Sequence, residues 1–160
     1  MIQKLTIKDQ ISVYDFIINT KDVYEDMYIT ENKSRHFLRN LSLINKILRH
    51  QEVYGLFEKE LQGILLIYRS KGFRPYIKLL AKSNKYYYDL MMFLKFNFND
   101  KELFAKLKIN NPLVEILKRK GFINIGMRGK EVLLHKVAIK EIYKLTPKDE
   151  YLIDNENRLY

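Results

Sequence analysis

Lysine and tyrosine residues are concentrated in one short stretch, where side chains of these types could take part in chemistry. Residues 82–88 read KSNKYYY. Lys82 and Lys85 could attract a phosphate group by charge, and Ser83 could cap a helix. A tyrosine hydroxyl, such as that of Tyr86, could donate a proton. The more ordinary interpretation is two solvated lysines beside aromatic residues that pack at the start of a buried helix.

Interleaved basic and aromatic residues are also typical of surfaces that bind single-stranded nucleic acid. A second stretch of this kind, RSKGFRPY, covers residues 69–76. The chain has 29 basic and 19 acidic residues, a net charge of +10. This charge favours acidic partners such as nucleic acid, a phosphorylated cofactor or an anionic surface. The lysines are scattered and no recognised nucleic-acid-binding motif is present, so a generally basic surface is the leading interpretation.

Several other kinds of site are excluded or unsupported. The chain has no cysteine, which excludes disulfides, thiolate metal sites and a cysteine nucleophile. Its three histidines, His36, His50 and His135, come from separate predicted elements without metal-ligand spacing. There is no Walker loop, dinucleotide-binding fingerprint or Ser-His-Asp pattern. The first residues lack the apolar core of a secretory signal, and ILLIY at 64–68 is far shorter than a membrane span. A cytoplasmic location is expected.

The hydrophobic pattern predicts one domain at residues 1–137, followed by a polar tail at 138–160. A strand at the start leads into a helix capped by Asp9, with Ile11, Tyr14, Ile17 and Ile18 on one face. A second helix is predicted from about residue 34 to residue 49, with a polar loop before it. The remaining elements, in chain order, are two strands joined by a Glu-Lys-Glu turn, a third strand, a central helix and a further strand.

The stretch INNPLVEILKRKGFINIGMRGKEVLLHKV, residues 109–137, is the most clearly patterned part of the chain. Asn111 is a good N-cap, and Pro112 then falls where a missing N–H costs nothing. Three basic residues at 118–120 suit the last helical turn. Gly121 can take the left-handed conformation that ends a helix, and Phe122 can fold back on it. Two strands around a turn at 128–130 complete a terminal hairpin.

This pattern, NNPLVEILKRKGF followed by a hairpin, resembles the C-terminal part of the GNAT superfamily of N-acetyltransferases. In that family an Asn after the fifth strand starts a helix that ends in Gly-Phe, and two strands follow. The order of elements upstream is also similar, so the resemblance covers residues 1–137. It implies an α+β fold with a mixed central sheet of about seven strands flanked by about four helices. The alternative is an unrelated α+β domain.

The resemblance also implies where a cofactor would lie. In active members a loop of the type Gln/Arg-x-x-Gly-x-Gly/Ala holds the CoA pyrophosphate through backbone N–H groups, and the pantetheine arm enters between two parallel strands. In this chain the loop becomes residues 82–87, with Lys85 and Tyr87 in place of both small residues. The cofactor-binding candidates by resemblance are Lys82, Ser83, Asn84, Lys85 and Asn110.

The residues that the family uses for proton transfer are also replaced. Leu117 stands where many members carry a tyrosine that protonates the leaving thiolate, and Lys78 stands on the fourth strand of the family's sheet, where it supplies no carboxylate. Glu58 and Glu60 are the available carboxylates, but they are predicted to lie at a hairpin turn. The catalytic candidates that remain are Tyr86 and Glu58.

The leading hypothesis is therefore a GNAT-fold protein that has lost acetyltransferase activity and serves in binding or assembly, with no need for acetyl-CoA. Leu117, Lys118 and Gly121 also resemble a small, degenerate GNAT-like internal virion or morphogenesis protein of tailed bacteriophages. That likeness implies a location in a virion, with other virion proteins as partners and packaged DNA near the basic surface. The alternatives are a divergent N-acetyltransferase that uses acetyl-CoA and a basic nucleic-acid-binding protein.

Overall fold

The computed structural model describes residues 1–69 and 74–139. The strands are β1 (Ile2–Lys4), β2 (Tyr28–Glu31), β3 (Ser34–Phe37), β4 (Glu52–Glu58), β5 (Glu60–Arg69), β6 (Pro75–Ala81), β7 (Leu103–Lys108), β8 (Ile123–Arg128) and β9 (Glu131–Lys136). The helices are α1 (Gln10–Asn19), α2 (Leu41–His50), α3 (Asn84–Phe98) and α4 (Leu113–Arg119). The predicted polar tail lies outside the described residues from position 140 onward.

Seven strands form one mixed sheet in the order β1-β4-β5-β6-β7-β9-β8, and β2 and β3 form a separate hairpin. Successive side chains of a strand point to opposite faces. In β5, Leu65 and Ile67 therefore pack with α3 and α4, whereas Ile64 and Leu66 pack with α1 and α2. The predicted fold class, a mixed sheet of seven strands with four helices, is confirmed.

The sheet opens between β6 and β7, its one parallel pair of neighbours. These two strands pair at a single position, Tyr76 opposite Phe104. By contrast, β5 and β6 pair along seven positions. Since β6 continues to Ala81 and β7 to Lys108, the strands diverge beyond Tyr76. We call this opening the β6–β7 gap.

The predicted second helix is wrong in its first part. Residues 34–37 form β3, which pairs with β2 in a hairpin whose turn residues, Asn32 and Lys33, both have positive φ. Helix α2 begins only at Leu41, where the Asn40 side chain accepts a hydrogen bond from the Leu43 amide at 2.8 Å. The segment predicted as a loop therefore contains a strand, and this hairpin covers part of the α1–α2 face.

The predicted buried face of α1 is also partly wrong. The buried residues are Val13, Phe16 and Ile17, whereas Ile11 is 62% exposed. The Asp9 side chain does not cap α1, because its carboxylate accepts the Thr6 amide in a preceding 3-10 turn. Apolar residues surround most of this helix, so the sequence pattern alone left its orientation ambiguous.

Helix α4 begins one residue later than predicted, at Leu113 with Pro112 as its N-cap residue, and it ends as predicted. The Asn111 side chain accepts a hydrogen bond from the Leu113 amide at 2.9 Å. At the other end, the amide of Phe122 bonds to the carbonyl of Leu117 at 3.1 Å, and Gly121 has a φ of 101°. Phe122 is thereby turned into the core between α4 and the sheet. The left-handed glycine is confirmed.

Replacing Gly121 with valine is expected to lower the free energy of unfolding by roughly 1 kcal/mol or more, because a β-branched residue is strained at positive φ. Gly126→Val is the matched control. Both glycines have nothing within 4 Å of an added Cβ, and only Gly121 has positive φ. Urea unfolding of the two variants measures the difference. Equal stabilities would show that the left-handed conformation is not required.

No helix among the described residues is both long enough and apolar enough to cross a membrane.

Candidate functional site

The side chain of Lys78 spans the β6–β7 gap. Lys78 is in the middle of β6, on the same face as Tyr76, and is 1% exposed. Its Nζ donates a hydrogen bond to the carbonyl oxygen of Lys106 on β7 at 3.0 Å, and lies 3.8 Å from the centroid of the Tyr28 ring. A buried ammonium group and an aromatic ring therefore close the gap on the α1–α2 face.

A buried carboxylate lies near this ammonium group. Asp26 accepts hydrogen bonds from the Lys108 backbone amide at 3.2 Å and from Asn111 Nδ2 at 2.8 Å. Burial raises the pKa of Asp26, while Asn111, the Lys78 charge and the Lys108 amide partly offset the rise. Burial lowers the pKa of Lys78 to about 8, and the carboxylates of Asp26 and Glu131 oppose that shift.

Tyr28 is held in place by a second carboxylate. Its hydroxyl donates to Glu131 on β9, which Arg35 also contacts at 3.3 Å. The pKa of Tyr28 is raised by burial and by Glu131. A tyrosine whose pKa is raised in this way is a poor proton donor at neutral pH. We call Asp26, Tyr28, Lys78 and Glu131 the Lys78 cluster.

Sequence reasoning missed three members of this cluster. Asp26 lies just before the β2–β3 hairpin and Tyr28 is its first residue, in a segment that was predicted to be a loop. Glu131 had been given no functional role. One signal was available in the sequence, namely Lys78 within the apolar strand PYIKLLA. A lysine is almost never fully buried without a partner, so this position required polar groups from elsewhere in the fold.

The predicted cofactor loop is very short in the structure. Only Lys82 and Ser83 separate β6 from α3, so the positions of Asn84 to Tyr87 belong to the first turn of the helix. Lys82 and Lys85 form exposed ion pairs, with Glu60 at 3.3 Å and Glu58 at 3.4 Å. Glu58 is confirmed to lie at the β4–β5 turn, as the end residue of β4.

The first turn of α3 has an uncapped N-terminus and a tyrosine that packs against the core. Ser83 is the N-cap residue, but its side chain makes no capping hydrogen bond. Tyr87 is partly buried against the core and has a hydrogen bond to the backbone of Ala81, at the end of β6. Its burial raises the pKa of the hydroxyl. The Tyr86 ring also packs against the core, 5.3 Å from Lys85 Nζ.

The remaining predicted positions lie in separate parts of the described structure. Asn110 is exposed after β7, and the neighbouring Asn111 makes the hydrogen bonds. Leu117 is fully buried in the core.

The three histidines lie apart from one another. His135 contacts Glu102 at 2.7 Å and stacks on Phe104, whereas His36 and His50 lie in other elements. Within the described part of the chain no group of His, Asp and Glu side chains could hold a metal. Residues 70–73 of RSKGFRPY lie outside the described residues.

A cavity of about 920 Å³ lies beside the Lys78 cluster on the α1–α2 face. The β2–β3 hairpin lines one side and the β8–β9 hairpin lines the other, with the start of β6 and the middle of β7 between them. Its charged residues are Lys33, Arg35, Arg74, Lys106, Arg128 and Glu131. We call it the basic cavity.

No protein-family model matches the chain, and no curated protein matches its sequence. Its structure is similar to solved N-acetyltransferases. An N-acetyltransferase from Staphylococcus aureus Mu50 has 16% identity and a TM-score of 0.60, over 86% of this chain and 96% of that one. A GNAT-family acetyltransferase from Streptococcus pneumoniae has 14% identity and a TM-score of 0.61, over 86% and 98%.

A spermidine N-acetyltransferase chimera from Vibrio cholerae and hSSAT has 11% identity and a TM-score of 0.63, over 90% of this chain and 98% of that one. Identities this low establish the fold and not the activity. The strand order, the β6–β7 gap and these structural matches agree with the resemblance inferred from residues 109–137. The chain has the fold of the GNAT N-acetyltransferases.

Proposed function

We propose that this GNAT-fold protein does not transfer acetyl groups and acts instead by binding, as a component of an assembly. The observation that carries the proposal is the Lys78 side chain, buried across the β6–β7 gap with its ammonium group on the Lys106 carbonyl. The GNAT resemblance implies that a pantetheine arm would enter between these two strands.

The residues at this gap do not fit a bound acetyl thioester. To reach the point where β6 and β7 diverge, the thioester would have to displace Lys78 Nζ from a 3.0 Å hydrogen bond and from the face of the Tyr28 ring. The ammonium group would then lose its buried partners, which is costly. From the α3 side, the partly buried Tyr87 side chain reaches the backbone of Ala81. Both routes into the gap contain a side chain of this protein.

The groups that acetyl transfer would need for proton transfer are also poorly placed. A base must accept the amine proton and an acid must protonate the leaving thiolate, each within hydrogen-bond reach. Leu117 supplies no proton, and Tyr28 is buried and bonded to Glu131. Glu58 lies at the β4–β5 turn, where it pairs with Lys85. These positions support a binding role over catalysis.

The second candidate is a divergent, active N-acetyltransferase, and one observation favours it. The first turn of α3 has no side-chain cap, and two exposed lysines stand beside it. Helix N-termini attract phosphate groups through their free amides, without any glycine. The ion pairs of Lys82 and Lys85 would not prevent this, because exposed pairs are worth only about 0–1 kcal/mol.

The two candidates differ in one observable, acetyl transfer from acetyl-CoA to an amine. Our proposal predicts no transfer above background. The alternative predicts turnover that depends on this chain's own residues, above all on Tyr86 or Glu58.

The place of the protein in an assembly stays a prediction. It rests on the likeness of Leu117, Lys118 and Gly121 to a phage virion or morphogenesis protein and on the net charge of +10. Under this reading its partners are virion proteins and its surface lies near packaged DNA. Virion genes on either side of its gene would support the role, and neighbouring metabolic genes would count against it.

A further inference from the structure

The basic cavity has an unbalanced charge. Its single carboxylate, Glu131, is 13% exposed and already bonds to Tyr28 and Arg35. The other four cations, Lys33, Arg74, Lys106 and Arg128, form no ion pair with any residue in the described ranges. Like charges that face one cavity repel one another, and a bound anion would relieve that repulsion.

Two of these four cations lie over aromatic rings. The guanidinium carbon of Arg74 lies 5.0 Å from the centre of the Phe104 ring, and Lys106 Nζ lies 5.1 Å from that of Tyr76. The Tyr76 ring in turn contacts Phe104 and stacks on Tyr68. Cations that rest on aromatic faces lose less freedom when they bind a ligand. The cavity is therefore partly preorganised for an anion.

We propose that the basic cavity binds a small polyanion, a molecule with at least two phosphate or carboxylate groups. This inference rests on the proposed function, because it names the ligand class of a protein that binds without acetyl transfer. A volume of about 920 Å³ suits a single small molecule. The cations reach the cavity from β3, β7, β8 and the segments beside β2 and β6, so a ligand must carry separated charges to contact several of them.

The same charges disfavour two other ligands. A polyamine would meet four cations that have no ion pair among the described residues, and a carboxylate that Arg35 and Tyr28 already contact. A single strand of nucleic acid needs a basic groove that follows its backbone with aromatic platforms for successive bases. Here two hairpins confine the cations to one cavity, and the Tyr76 and Phe104 rings are buried beneath Lys106 and Arg74.

Calorimetric titration of inorganic tripolyphosphate into the full chain tests the proposal at fixed ionic strength. The unaltered protein is expected to bind it, and the double variant Arg74→Gln/Arg128→Gln is expected to bind at least about tenfold more weakly. The matched control, Lys4→Gln/Lys95→Gln, removes the same charge at exposed positions on β1 and α3. It is expected to bind within about twofold of the unaltered protein.

Three results would overturn the proposal. The first is the absence of binding to the unaltered protein, and the second is equal weakening in the two double variants, which would show an effect of bulk charge. The third is binding of an oligothymidylate of about twelve nucleotides more tightly than tripolyphosphate. If the Arg74 and Arg128 changes also weaken that binding, the ligand of the cavity is nucleic acid.

A second variant covers the case in which the arginine changes disturb folding. Lys33 has positive φ in the β2–β3 turn, and asparagine tolerates that conformation. The Lys33→Asn variant therefore removes one cation of the cavity without straining the turn. It is expected to weaken tripolyphosphate binding, and unchanged affinity in a folded Lys33→Asn protein would contradict the proposal. Acetyl-CoA takes no part in this titration, so its outcome is separate from that of the acetyl-transfer assay.

Discussion

Replacing Asp26 with alanine is expected to lower the free energy of unfolding by about 3 kcal/mol. The carboxylate accepts hydrogen bonds from the Lys108 amide and from Asn111 Nδ2, and its charge faces Lys78. Its removal leaves these two buried donors without their acceptor and takes a negative charge away from the neighbourhood of the buried ammonium group. Urea unfolding followed by circular dichroism measures the loss.

Asp89→Ala is the control for Asp26→Ala, because Asp89 is exposed on α3. Its effect should stay within about 0.5 kcal/mol, as for most surface substitutions. A loss of less than about 1 kcal/mol for Asp26→Ala would show that Asp26 does not organise the Lys78 cluster.

The free energy of unfolding is expected to rise by about 2 kcal/mol between pH 8 and pH 9.5. The pKa of Lys78 is lowered from 10.5 to about 8 by burial, so the folded protein loses this proton before the unfolded chain does. In this window the unfolded chain binds more protons, and stability therefore increases with pH. Lys136, whose pKa is also lowered by burial, adds a contribution of the same sign.

Lys78→Met isolates the contribution of Lys78, because methionine fills similar space and does not titrate. Most of the rise in stability should disappear in this variant. The window ends below pH 10 because tyrosines such as Tyr28 and Tyr68 ionise near that pH once they are unfolded. Burial raises their pKa in the folded protein, so at higher pH their ionisation favours the unfolded chain and lowers stability again. The same pH dependence in Lys78→Met and the unaltered protein would show that Lys78 is not held as a buried cation.

The parts of the fold that the sequence predicted correctly have strong local signals. The β4–β5 turn, the Asn111 hydrogen bond before α4 and the left-handed Gly121 after it depend on residues close in the chain. The β2–β3 hairpin was missed because its strands are four residues long and do not alternate between apolar and polar residues. Its position depends on distant partners, since Asp26 and Lys108 are 82 residues apart.

In the candidate site, too, the sequence predicted what depends on nearby residues and missed what depends on contacts between distant ones. The sequence identified Lys78, Lys85 and Leu117 as departures from the GNAT pattern, and this needed only the order of residues. It did not show that Lys78 bridges to Lys106, because that contact depends on how far β6 and β7 diverge. The basic cavity was likewise hidden, since its cations come from five separate segments and meet only in the folded protein.

Acetyl transfer by the purified, unaltered protein tests the central claim most directly. Radiolabelled acetyl-CoA is incubated with a simple amine, a polyamine or a peptide acceptor, and labelled product is compared with a blank without protein. With Lys78 across the β6–β7 gap and Leu117 at the acid position, we predict no product above the blank. Robust turnover that is abolished by Tyr86→Phe or Glu58→Gln would contradict the account and establish a divergent N-acetyltransferase.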